Sequence, residues 1–142
     1  MEKETIVDNQ HIKNAKKIKN MFGHIDYRNP PELCTIRDVL SLSSDKWSIL
    51  IILYLGYFPI LRFNKLKKYV YGISNKVLSE RLKALESNGY VHREMYPEVP
   101  IRVEYSLTSF GKNYVEKLIE LTEWMQLNNP TILANKEKFH IK

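Results

Sequence analysis

The sequence predicts a mainly α-helical domain carrying one small β-hairpin, an α+β fold. Three observations predict it. Apolar residues recur at three- and four-residue spacing in several separate stretches, and Ser, Asp and Thr stand where those stretches begin. Two short runs with strand character are joined by Pro97-Glu98-Val99-Pro100. With 142 residues, 44% hydrophobic and 11% aromatic, the chain suffices for one core plus appendages and is too apolar to be wholly disordered.

Residues 1–30 read as a polar arm rich in Lys and Asn, where Ile12, Ala15, Ile18 and Phe22 suggest a helix ended by Gly23. Pro30-Pro31 forbids a continuous helix from this arm into the next segment, because proline lacks the donor and restricts its predecessor. The main domain is therefore expected over 31–128. Ile36, Val39 and Leu40 predict a short helix over 35–42, and Ser43-Ser44-Asp45 supplies oxygens to cap a second from Lys46 to about Leu55. That second helix is apolar nearly all round, so it belongs at the centre of the fold.

A turn from Gly56 to Pro59 leads to a third helix marked by Phe63, Leu66 and Tyr69 or Val70. Tyr71-Gly72 breaks it, and Ser74 is placed to cap a fourth, whose Leu78, Leu82 and Leu85 form an inner face ended by Asn88-Gly89. Tyr90 to Tyr96 and Arg102 to Leu107 come next as strands, the second alternating Val103, Tyr105 and Leu107 inward. Thr108 caps a long helix with Tyr114, Leu118, Leu121 and Met125 in a helix-pairing seam. Pro130 is expected to end it, leaving residues 129–142 as a tail. The order of elements is that of a winged helix-turn-helix, an architecture that serves several functions.

Charge narrows the choice. Between Arg62 and Lys83 stand seven basic residues, Arg62, Lys65, Lys67, Lys68, Lys76, Arg81 and Lys83, against one acid, Glu80; this local +6 equals the formal charge of the whole chain. On the fourth helix Asn75, Lys76, Ser79 and Lys83 fall opposite the leucines, a face suited to a DNA groove: Asn bonds adenine, Lys reaches guanine or phosphate, and Ser permits close approach. Arg81 lies off this stripe and suits an ion pair with Glu80, Glu86 or a neighbouring helix. The stiff Pro97 to Pro100 link suits a wing against the minor groove, with Arg102 and Arg93 the nearby cations.

Other classes fare worse. One cysteine excludes an intramolecular disulfide, and the opening MEKETIVDNQ has no secretory pattern, so the cytoplasm is the expected compartment. The most apolar stretch, Trp47 to Leu61, falls short of the roughly 20 residues a bilayer requires. His11, His24, His92 and His140 lie far apart, no close Cys/His pair exists, and no metal or cofactor is expected. No phosphate loop or nucleophile motif suggests an enzyme, and Glu116, Glu120 and Glu123 have helix-surface spacing. A winged-helix protein-interaction module without DNA specificity is the alternative, and the concentrated basic charge argues against it.

Several segments carry a resemblance: Cys34 before a short helix, Asp45-Lys46-Trp47, Arg62-Phe63-Asn64-Lys65-Leu66, the run Ile73 to Leu82, Tyr96-Pro97-Glu98-Val99-Pro100, and Arg102 to Thr108. From about Cys34 to Met125 the chain resembles the HxlR-type winged helix-turn-helix transcriptional regulators. The resemblance implies a homodimeric bacterial regulator of double-stranded DNA at an inverted-repeat operator. It places the helix after Ile73 in the major groove, the wing nearby and terminal helices in the dimer; with the charge reading above, Arg62, Lys65, Ser74, Asn75, Lys76, Ser79, Lys83 and Arg102 are the residues expected at the DNA. Two departures stand out: some thirty residues precede the cysteine, where the family has few, and Asn75 replaces a common proline.

The resemblance also implies a sensing role for Cys34, since members of the family detect electrophiles or oxidants at the matching cysteine. A position before a helix N-terminus, with Arg37 one turn on, favours thiolate. The alternative is a small buried residue packing the first helix.

Overall fold

The computed structural model describes residues 8–23, 26, 28, 40, 41 and 43–141. The chain divides into two compact units, Met1–Leu42 and Ser43–Lys142. In the first, helix α1 spans Asn9–Phe22; the Asp8 carboxylate accepts from the His11 amide, and Gly23 closes the helix at φ 79°. All of its side chains are solvent-exposed. Of the helix expected over 35–42, only Leu40 and Ser41 are described, both helical. Cys34 lies outside the described residues.

The second unit holds α2 (Lys46–Tyr57), α3 (Phe63–Tyr69), α4 (Asn75–Ser87), β1 (Val91–Tyr96), β2 (Arg102–Leu107) and α5 (Ser109–Ile141). The fold is mainly helical with a single antiparallel hairpin among the described residues, as the sequence predicts. Asp45 caps α2, and Ile51, Ile52 and Leu55 of that helix are buried against Leu66, Val70, Leu78, Leu82 and Leu85. Each such side chain contributes on the order of 1.5–3 kcal/mol by leaving water, so the leucine face of α4 alone fixes which side of that helix points out.

The strands pair from Val91 with Leu107 to Tyr96 with Arg102. Leu61, in the link between α2 and α3, exchanges both backbone hydrogen bonds with Tyr105 at 3.0 and 2.8 Å, so the helix-turn-helix and the hairpin are one hydrogen-bonded structure. Thr108 then starts α5: its hydroxyl accepts from the Gly111 amide at 3.0 Å while its own amide donates to the Tyr90 carbonyl at 3.1 Å.

Pro130 does not end α5; the helix runs through it for 33 residues to Ile141. A proline removes one donor and crowds the carbonyl four residues back. Here no glycine follows Gly111 in the helix to offer an exit. No helix among the described residues is long and apolar enough to cross a membrane.

Candidate nucleic-acid interface

The candidate surface is built on α3, the turn after it and α4. The Ser74 hydroxyl caps α4 by accepting from the Val77 amide at 3.1 Å. Gly72 takes the turn at φ 86°, a conformation that costs other residues energy. Lys67, one of the seven basic residues, donates from Nζ to the Ile73 carbonyl at 3.1 Å. Its charge therefore closes the turn from α3 to α4, a role that spacing alone does not reveal.

Leu78, Leu82 and Leu85 are buried, whereas Asn75, Lys76, Ser79 and Lys83 of the same helix are exposed to solvent, as is Ser74 at its start. Arg62, Lys65 and Lys68 of the preceding segment are exposed as well. The residues expected at DNA on these two helices are thus all solvent-exposed. An exposed amide, a small hydroxyl and mobile ammonium groups on a helix are the chemistry that reads base edges and phosphates.

Arg81 sets the rotation of that helix. Its Nε donates to Asp45 Oδ1 at 3.0 Å, across to the N-cap of α2. Asp45 also accepts from the amides of Trp47 and Ser48, each at 3.1 Å, and from the Ser48 hydroxyl at 2.6 Å. Partial burial pushes the Asp45 carboxyl up, but the Ser48 hydroxyl and amide and the Arg81 guanidinium outweigh it and hold the group below its ordinary value. Of the partners the sequence offers Arg81, the structure selects the neighbouring helix over Glu80 and Glu86.

In the hairpin Arg102 already has acidic partners: its guanidinium lies 3.1 Å from Glu98 and 3.4 Å from Glu104, stacks 4.0 Å above the Tyr96 ring, and is 28% exposed. Glu98 precedes it by four residues and Glu104 follows by two, so a chain reversal and the strand's alternation deliver both carboxylates to one face. Val99 and Ile101 are exposed at the tip, beside the half-exposed Glu98.

The seam on α5 also divides. Leu118 is buried in the unit's own core, and Tyr114 packs against that core and donates its hydroxyl to the Ser43 carbonyl at 3.0 Å. Burial pushes the Tyr114 hydroxyl above its ordinary pKa, keeping it a neutral donor. Leu118 is thus sealed within its own unit, and Tyr114 is part-buried against the same core. Periodicity marks an apolar stripe but not its cover, and the first turns of α5 are covered by α2 and the hairpin. Leu121 (46% exposed) and Met125 (48% exposed) do face outward, with Trp124 and Leu127 beside them.

Residues 42–132 match the family model described as HxlR-like helix-turn-helix. The HTH-type transcriptional regulator YtfH of Escherichia coli K12 is 39% identical over 107 residues, covering 75% of this chain and 84% of the relative. Among solved structures, transcriptional regulator YtfH from Salmonella typhimurium superposes with a TM-score of 0.69 at 39% identity, covering 75% of this chain and 95% of that one. The redox regulator HypR in its reduced form gives a TM-score of 0.63 at 32% identity, covering 70% and 97%.

Proposed function

The chain belongs to the HxlR-like helix-turn-helix family of transcriptional regulators, and from that premise we propose that it binds double-stranded DNA as a homodimer in the cytoplasm and has no catalytic role. The observation that carries the reading is the exposed stripe of Asn75, Lys76, Ser79 and Lys83 on a helix whose leucine face is buried in the core. In this reading α4 enters the major groove, where Asn75 contacts a base edge. Arg62, Lys65, Lys76 and Lys83 neutralise phosphates, Ser74 and Ser79 approach the backbone, and the hairpin tip borders the minor groove. Two copies paired through Leu121 and Met125 require an inverted-repeat operator with half-sites about one helical turn, or a multiple, apart.

The test is retardation of genomic fragments by the full-length protein across a salt series. Affinity for the selected fragment should fall linearly on a log-log plot of salt, with one slope unit of about 0.9 per phosphate engaged. No retardation at low salt would remove the DNA-binding role.

A response to electrophiles or oxidants through Cys34 is part of the same proposal, supported by the likeness to a redox regulator. With one cysteine per chain, the chemistry open to it is alkylation, a mixed disulfide with a small thiol, or a Cys34 to Cys34 bridge between subunits. Cys34→Ser should keep DNA affinity and lose any release by diamide or a quinone; an unchanged response removes Cys34 from the mechanism.

A further inference from the structure

Helix α1 is a second cationic surface, separate from α3 and α4. It carries Lys13, Lys16, Lys17 and Lys19, and no acidic residue lies between Asn9 and Phe22. No carboxylate pairs with any of these four lysines among the described residues. At 3.6 residues per turn, Lys13, Lys16 and Lys17 fall within an arc of about 100°, opposite Ala15, Ile18 and Phe22. Three of the four lysines therefore share one side of a short helix, while Lys19 lies on the flank beside Ile12 and Ala15.

We infer that the lysine side of α1 binds DNA phosphates outside the segment read by α4, extending the footprint of each subunit. The inference rests on the reading of the chain as a DNA-binding regulator. Three unpaired ammonium groups on one side of a helix complement a polyanion, and each phosphate neutralised releases condensed counterions. The twenty residues from Gly23 to Ser43 allow a separation of at most about 70 Å, so phosphates flanking a half-site are within covalent reach. An anionic membrane would also attract such a helix. Duplex DNA is favoured because the other basic surface of the same chain, on α3 and α4, calls for the same polyanion, and because stable anchoring to lipid takes a second signal beyond one short helix.

The full-length protein and a triple variant, Lys13→Gln, Lys16→Gln and Lys17→Gln, are titrated onto a random-sequence duplex of about 40 base pairs, long enough for two half-sites with flanks. Glutamine matches lysine in helix propensity, so α1 is retained. The variant's salt slope should be shallower by about 0.9 for each phosphate it no longer neutralises, up to about 2.7 per subunit, and the matching Lys→Arg triple should restore it. A steep wild-type slope with an identical variant slope overturns this inference alone. A wild-type protein that binds neither this duplex nor any genomic fragment at low salt overturns the regulator reading and this inference with it. Equal slopes together with lysine-dependent co-sedimentation on phosphatidylglycerol vesicles assign the surface to a membrane and overturn it too.

Discussion

The guanidinium of Arg81 lies 3.0 Å from the carboxylate of Asp45, so the helix that faces outward with Asn75 and Lys76 is anchored to the first turn of α2. One carboxylate caps a helix and aligns another. Both side chains are about one-third exposed, which limits what the ion pair alone contributes.

Asp45→Ala removes the cap and the anchor together and should destabilise the domain by about 1–2 kcal/mol, read as a lower urea midpoint. Because the folded-state pKa of Asp45 is depressed, its contribution is fully present at neutral pH. It is lost as the pH falls below about 4 and through the folded-state value. The wild-type stability should therefore drop more steeply in acid than that of the Asp45→Ala protein. Parallel acid profiles would show that the group is not linked to folding.

Gly111 is where α5 passes the Tyr90 carbonyl: a Cβ there would collide with that backbone oxygen and press on the Leu107 side chain at 3.1 Å. The Tyr90 oxygen cannot retreat without losing its bond from the Thr108 amide. Gly111→Ala should cost about 2–3 kcal/mol despite alanine's higher helix propensity. Thermal melts of the two proteins at equal concentration check it, and a Tm at or above wild type would contradict the close approach.

Leu118 and Leu121 are three residues apart and should behave oppositely. Leu118→Ala opens a cavity in the core and should lower folding stability by about 2–4 kcal/mol. Leu121→Glu combined with Met125→Glu should leave the fold intact and weaken self-association, seen as a shift toward monomer in sedimentation velocity. If the double variant sediments as the wild type does, the pairing surface lies elsewhere.

Asn75→Ala and Lys76→Ala separate base reading from phosphate attraction. The first should relax preference at one base position by about 1–3 kcal/mol with the salt slope unchanged. The second should weaken binding to all sequences alike and lower the slope by about one. Binding-site selection followed by salt titration distinguishes them.

Local features of the domain were legible wherever a residue's role depends on its immediate neighbours in the chain. Ser74 as a cap, the leucines of α4 as an inner face and Gly89 at the helix end all follow from sequence spacing, and the structure bears them out. What escaped depends on distant partners. An arginine in a hairpin reads as a phosphate ligand until Glu98 and Glu104 are brought to it. A lysine in a basic run reads as solvated until the Ile73 carbonyl meets it. Tyr114 and Leu118 read as an intermolecular seam because apolar spacing is the same for either kind of cover. Pro130 misled for a different reason, since the loss of one backbone donor does not by itself end a helix.

At about 1.5 Å per residue, α5 runs some 45 Å from Gly111 to Ile141, with its buried residues confined to Gly111 and Leu118 near the start. It is a beam clamped at one end. A pivot of about 10° at the clamp sweeps the far tip through roughly 8 Å, a distance larger than the 5.4 Å pitch of one turn. Anything that grips the distal portion thereby gains mechanical advantage over the clamp, and the clamp is fastened to the strand that holds Tyr105 and, through it, Leu61.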